Sequence, residues 1–321
     1  MLDWLSSTFS GGGMTAFITH PACFGHNMGE GHPEGPERLA AIRDRLITAQ
    51  LMDFLQEYEA EEVSEVQLAR VHPPRYIRFL ESVSPNVGTY RVDTDTAMNS
   101  GTLTAARYSA GAVVKAVNLV MNGKVPNAFC AIRPPGHHAE TEKAMGFCFF
   151  NNVAVGAMHA FAEYRLKRIA VIDFDVHHGN GTEEIFKDDE RVMLLSSFQH
   201  PFFPYCGDRP IGSNPNIVNV PMPSGTRSDA FRDMVTDIWL PRLHEFKPEL
   251  VFISAGFDAH LEDDMGNFGL VEADYIWVTE QIMKIAEQYC GGKLVSVLEG
   301  GYELSSLARS VAAHVKVLAN V

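Results

Sequence analysis

The chain of 321 residues carries 26 basic against 40 acidic side chains, a formal net charge of -14, and is 46% hydrophobic and 21% charged. That is the make-up of an ordinary globular chain, long enough for one substantial core. It argues against direct nucleic-acid binding, since no basic stripe or aromatic-basic interleaving is present, and its negative field favours cationic partners such as lysine-rich tails or polyamines.

Residues 1–14, MLDWLSSTFSGGGM, have neither the basic start nor the continuous apolar segment of a secretion signal, and read as a flexible extension before a domain over 15–321. Short apolar or β-branched runs follow at 15–19, 129–133, 168–173, 191–196, 216–220, 250–256 and 293–301. Their hydrophobicity is near-continuous rather than alternating, which predicts central parallel strands covered on both faces. Helical patterns run from Pro36 to about Gln50, Gly101 to about Met121, Asn152 to about Tyr164, Ser228 to Phe246, Glu272 to Tyr289 and Leu304 to about Leu318. Pro241 should kink or divide the fourth of these. The alternation predicts a single α/β domain with a mostly parallel central sheet, helices on both faces, and a polar site beyond the carboxyl ends of the strands. No apolar stretch reaches the roughly 18 residues that a membrane span needs. The five cysteines, Cys23, Cys130, Cys148, Cys206 and Cys290, are scattered without a CxxC pair, so a reducing, cytoplasmic setting is expected.

Asp173-Phe174-Asp175-Val176-His177-His178-Gly179-Asn180-Gly181 comes directly after an apolar run. Two apart on an extended backbone, Asp175 and His177 can point to one side and make half of a divalent-metal site. Asp258, in SAGFDAH at 254–260, offers a third ligand just beyond another strand. Three protein ligands leave an open position for water, as a catalytic zinc site requires, and two carboxylates also suit iron(II). Either segment alone reads equally as turn or cap residues beside a packed histidine. Arg133-Pro134-Pro135-Gly136-His137-His138-Ala139 sets two imidazoles in a restricted turn, suited to taking a proton from water and returning one to a leaving amine. In Glu299-Gly300-Gly301-Tyr302 the glycines permit close backbone approach, and a phenol there can face a developing oxyanion. In isolation, an exposed loop explains the first pattern and core packing the second.

From about Thr15 to Ala319 the chain resembles the histone deacetylase and acetylpolyamine amidohydrolase superfamily. The matches are HPEGPERL at 32–39, RPPGHHA at 133–139, GFCFFNN at 146–152, DFDVHHGNG at 173–181, SAGFDAH at 254–260 and EGGY at 299–302. The resemblance implies an arginase-deacetylase fold and a zinc-dependent hydrolase that removes acetyl or similar acyl groups from an amine nitrogen. It implies one zinc on Asp175, His177 and Asp258, proton transfer by His137 and His138, and carbonyl polarisation by Tyr302. Asp173 matches the family's aspartate behind the first histidine. Asn180 stands behind His138, where class I enzymes have aspartate, a class II-like feature that should leave His138 less strongly held in its charged form and the better general base. A structural potassium ion is also implied, at Asp173, the carbonyls of Asp175 and His177, and the Ser196 and Ser197 region.

Phe147, after Gly146, and Phe203 match the facing aromatic walls of the family's substrate channel, suited to an aliphatic arm. Polyamine deacetylases of the family place an acidic gatekeeper seven residues past the last metal aspartate, and Met265 occupies that place here. Methionine is a pliable apolar rim, which favours acylated lysine in a peptide or protein over an acetylated polyamine. Glu262, Asp263 and Asp264 pull the other way as nearby acids. A module that binds acyl-lysine without turnover would lack part of this metal, proton-transfer and oxyanion set. An arginase-like pair of metals would need more ligands than the sequence offers.

Overall fold

The computed structural model describes residues 13–321. The expected extension therefore lies outside the described residues apart from Gly13 and Met14. In chain order, β1 (Thr15–Thr19), α1 (Glu37–Thr48), β2 (Leu55–Glu59), α2 (Glu65–Leu68) and α3 (Pro74–Val83) lead to a hairpin of β3 (Tyr90–Arg91) and β4 (Ala97–Met98). Next come α4 (Thr102–Met121), β5 (Asn127–Cys130), α5 (Asn152–Tyr164), β6 (Ile169–Asp173), α6 (Asn180–Phe186), β7 (Val192–Gln199) and β8 (Ile217–Met222). The chain ends with α7 (Ser228–Met234), α8 (Leu240–Phe246), β9 (Leu250–Ala255), α9 (Glu272–Cys290), β10 (Leu294–Leu298) and α10 (Leu304–Leu318).

Eight strands form one sheet in the order β2-β1-β5-β10-β9-β6-β7-β8, and every neighbouring pair is parallel. Successive strand residues face opposite sides of a sheet, and β5, β6, β7, β9 and β10 are buried at every position, so both faces of its middle are covered. Helix α10 packs on α1 and α9, while α4 packs on α5. Strand β2 breaks the apolar rule: Gln56, Glu57 and Glu59 are exposed, because among the described residues it pairs only with β1, at the sheet edge. Charged residues suit such an open edge, and they are also why no hydrophobic run announces it. Among the described residues, no helix is long and apolar enough to cross a membrane.

The helical pattern over 228–246 is divided, as Pro241 leads one to expect. A π-helical turn, Val235–Trp239, joins α7 to α8, and Pro241 is the second residue of α8. Proline brings no N–H, so a backbone carbonyl in the preceding turn loses its donor, and the wider turn accommodates the mismatch.

Two buried histidines make the fold sensitive to acid. His314 of α10 lies between Ser296 Oγ, 2.8 Å from Nε2, and Thr279 Oγ1, 2.7 Å from Nδ1, and burial pushes its pKa down to about 3. His72 accepts the Asn151 N–H at Nε2 and donates to the Thr141 carbonyl from Nδ1, and burial lowers its pKa to about 4. Both folded values lie below the unfolded value of about 6.5. The neutral rings therefore contribute stability that is complete above that pH and is lost as pH falls toward their folded values. Each is expected to forfeit on the order of 2 kcal/mol by pH 4.5. Thermal unfolding at pH 7 and 4.5 checks this: His314→Gln should lose less stability between the two pH values than the wild type.

Candidate active site

In a parallel sheet all carboxyl ends lie along one edge, so the segments that follow β5, β10, β9 and β6, four neighbours, are brought together. Strand β6 stops at Asp173, and Asp175 and His177 lie past it in a series of bends rather than on an extended pleat. They meet through a local turn. Asp175 Oδ1 accepts the His177 backbone N–H at 2.9 Å and lies 3.1 Å from ring Nδ1. Asp258, in the turn after β9, brings Oδ2 within 3.1 Å of the same nitrogen, and its Oδ1 accepts the Val176 N–H at 3.0 Å. One donor atom from each of Asp175, His177 and Asp258 lies within 4.8 Å of the others, and all three residues are buried. Gly300 packs its backbone against them: its N–H donates to Asp175 Oδ2 at 2.9 Å, and a Cβ there would stand 2.1 Å from Asp258 Oδ2.

Burial, reinforced by the Asp175 charge, pushes the Asp258 pKa up to about 7. Burial would lower that of His177, but its hydrogen bonds to Asp175 and Asp258 carry it up to about 10. A proton on His177 thus offsets part of the carboxylate charge, and a cation taking these donor atoms must displace it.

The His137 and His138 rings lie 4.0 Å apart between centroids, in unlike surroundings. His137 Nδ1 donates to Asp173 Oδ2 at 2.9 Å, and Asp173 Oδ1 accepts the Asp175 N–H at 3.1 Å. Burial alone would lower the His137 pKa, yet the Asp173 and Asp175 charges raise it well above the ordinary value. His138 Nδ1 donates to Asn180 Oδ1 at 2.8 Å, and the amide is oriented by its own Nδ2, which donates to Glu140 Oε1 at 2.8 Å. An amide brings no compensating charge, so burial, together with His137 and His177 nearby, depresses the His138 pKa well below normal. With Nδ1 carrying the proton, Nε2 keeps a free lone pair. Gly146, at φ +55°, lies flat against this ring, and a Cβ there would stand 2.4 Å from His138 Cδ2.

Tyr302 is aimed by its backbone. Asp263 Oδ2 accepts the N–H groups of Tyr302 and Glu303 at 2.6 and 3.0 Å. Asp263 is buried, so it is a support rather than a rim charge, a role hidden in the sequence because it sits in an acidic run. Beneath the turn, Arg38 donates to the carbonyls of Gly301 and Glu299 at 2.6 and 2.5 Å, and its guanidinium carbon lies 5.0 Å from the Tyr302 ring centre. Arg38 shares the buried Glu34 with Arg133, whose Nε and Nη2 lie 2.8 Å from its two carboxylate oxygens. Glu34 and Arg38 stand four apart across the start of α1, but nothing local marks Arg133, 99 residues on from Glu34, as their partner. Burial and the Asp258 charge raise the Tyr302 pKa well above normal, against the pull of Arg38, so the phenol keeps its proton.

Phe147 stands edge-on to Tyr302, centroids 5.9 Å apart, and Phe203 edge-on to His138 at 5.2 Å. The two expected aromatic residues therefore flank different members of the site. His32, 4.7 Å from Phe147, and Phe202, stacked on His177 at 5.5 Å, extend this surround and carry no distinguishing sequence signal. Met265 is half-buried, with its N–H held by Asp263 Oδ1 at 2.9 Å. Across the sheet, Asp173 pairs with Ser196. Ser196 Oγ bonds His178 Nδ1 at 3.2 Å, and Ser197 Oγ is buried without a partner among the described residues. Among those residues, neither the Asp175 nor the His177 carbonyl accepts a hydrogen bond.

The sequence and the fold are shared with known proteins. The histone deacetylase domain family matches residues 32–318. A probable deacetylase of Archaeoglobus fulgidus is 36% identical over 300 residues, covering 91% of this chain and 82% of that protein. A histone deacetylase-like amidohydrolase of Pseudomonas aeruginosa is 37% identical over 277 residues, covering 85% and 73%. The crystal structure of the HDA15 HD domain superposes with a TM-score of 0.91 at 35% identity, over 96% of this chain and 88% of that one. With its eight-stranded parallel sheet, its arginase-deacetylase fold and a buried site able to hold a metal, the chain belongs to the histone deacetylase family and is a hydrolase.

Proposed function

We propose that residues 15–321 form a catalytic domain that hydrolyses the amide of an acetylated, or otherwise acylated, lysine in a peptide or protein. What carries this reading is the convergence of Asp175, His177 and Asp258 beside a neutral imidazole. Two buried carboxylate oxygens and one imidazole nitrogen fit a single zinc ion, and an oxygen-rich set also accepts iron(II). When bound, such an ion makes water acidic and draws electron density from the amide carbonyl.

His138 takes the proton of the attacking water at Nε2, the lone pair that Asn180 leaves free. His137, kept charged by Asp173, returns a proton from Nε2 to the departing amine. Tyr302 donates its phenol hydrogen to the oxyanion as the carbonyl carbon becomes tetrahedral. Gly146, Phe147 and Phe203 line the path of the aliphatic arm, with Met265 at its rim. A potassium ion would suit the free carbonyls of Asp175 and His177, the Asp173 carboxylate and the Ser196 and Ser197 strand; its role there is to neutralise and stiffen the backbone behind the metal ligands. The five free cysteines support a reducing, cytoplasmic setting.

Peptide substrates are favoured by what has become of the rim acids. Asp263 is spent on the Tyr302 turn and Glu262 pairs with Arg309 at 2.7 Å, which leaves Asp264 exposed. That one acid is the observation favouring acetylated polyamines as the second reading. A matched panel of acetyl-lysine peptides, longer-acyl peptides and acetylpolyamines, assayed on zinc-loaded protein, decides between them. Peptides are expected to lead in kcat/KM by about tenfold or more. A polyamine preference would overturn the substrate assignment and leave the chemistry in place.

A further inference from the structure

Strand β10 lies between β5 and β9, and Glu299 is the first residue beyond its end. From there its side chain reaches both neighbours. Oε2 accepts the N–H groups of Gly136 and His137 at 2.7 and 3.1 Å, and Oε1 accepts the Ser254 hydroxyl at 3.1 Å. The backbone of Glu299 is fixed too: its N–H donates to the Ala255 carbonyl at 3.0 Å and its carbonyl accepts from Arg38 at 2.5 Å. The residue is wholly buried, and among the described residues no lysine or arginine bonds its carboxylate. A leucine here would continue the apolar run of β10 without the desolvation cost of a buried acid. What the carboxylate adds is one oxygen able to hold two consecutive N–H groups of a turn that belongs to no helix or strand.

Building on the reading of His137 and His138 as the proton-transfer pair, we propose that Glu299 is a positioning residue that clamps the backbone of their turn to the end of β10 and so sets the aim of both imidazoles. The rings are anchored at their Nδ1 atoms by Asp173 and Asn180, and the carbonyls of Pro134, His137 and Ala139 accept from Asn152, Thr182 and Asn151, but the N–H groups of Gly136 and His137 are held by this one carboxylate. Once released, the turn shifts, and a misplacement on the order of 1 Å costs about 10²-fold in rate.

Three variants test it. Glu299→Ala removes the acceptor. Glu299→Gln keeps it, because the amide oxygen can take both N–H groups while its nitrogen donates to Ser254 Oγ. Ser254→Ala removes only the contact to β9. Glu299→Ala is expected to lower kcat by about 10–100-fold with KM within about threefold and metal content unchanged, whereas the other two stay within about threefold of wild type. Amide exchange over residues 136–139, followed in the same zinc-loaded samples, should be at least about tenfold faster in Glu299→Ala and unchanged in Glu299→Gln. If Glu299→Ala does not fold, Glu299→Met, of similar length but without an acceptor, carries the same expectations. Unchanged exchange in the variant without an acceptor, or a Gln variant as impaired as the Ala variant, would overturn the proposal. Wild-type protein that cleaves no acyl amide while showing the expected exchange pattern would reject the hydrolytic reading and leave the clamp standing.

Discussion

Replacing Tyr302 with Phe is expected to lower kcat by on the order of 10²–10³-fold, the loss typical of one oxyanion donor, with KM and bound metal nearly unchanged. The substitution is clean because little else depends on the hydroxyl. The ring keeps its edge contact with Phe147 and its place over Arg38, and the backbone stays tied to Asp263. The phenol is protonated across the working pH range, since burial and nearby carboxylates raise its pKa, so what is lost is a neutral donor rather than a charge. Steady-state kinetics alongside metal analysis of the same sample make the check. A Tyr302→Phe enzyme with normal turnover would remove the tyrosine from the mechanism.

Asp258→Ala should fail differently, losing metal and activity together. Groups that merely orient ligands are worth about 10–100-fold in metal affinity, so a direct ligand should be worth about a hundredfold or more. The Ala variant also strands the Val176 N–H that Asp258 Oδ1 accepts at 3.0 Å, adding about 1–3 kcal/mol of destabilisation. Asp258→Asn separates the two effects, because an amide oxygen can still accept from Val176 while the charge is gone. Competition with a chelator measures the metal affinity and thermal unfolding the stability. Full metal affinity in Asp258→Ala would rule this residue out as a ligand.

The central strands, the crossover helices and the metal, histidine and tyrosine segments were legible in the sequence for one reason: each apolar run ends abruptly in polar residues that are costly to bury without partners. Where the environment rather than the composition decides, the sequence was silent or misleading. Asp175 and His177 were expected to share a side of an extended strand, but they converge through a turn beyond its end, with the His177 N–H folded back on Asp175. Asp263 reads as one acid among three, and only the β10 turn packed beside it makes it a backbone anchor. β2 and α3 escaped because an edge strand and a half-exposed helix need no continuous apolar run. Glu34, Arg38 and Arg133 form a buried charge cluster whose members come from segments almost 100 residues apart. No local pattern encodes such a partnership.

The convergence of Asp175, His177 and Asp258 on one divalent cation is tested most directly by anomalous diffraction at the zinc edge from crystals of the zinc-loaded protein. A single strong peak is expected within about 2.0–2.2 Å of the His177 ring nitrogen and of one oxygen on each aspartate. A peak held by other side chains, or none at this position in protein that still hydrolyses acyl-lysine, would contradict it.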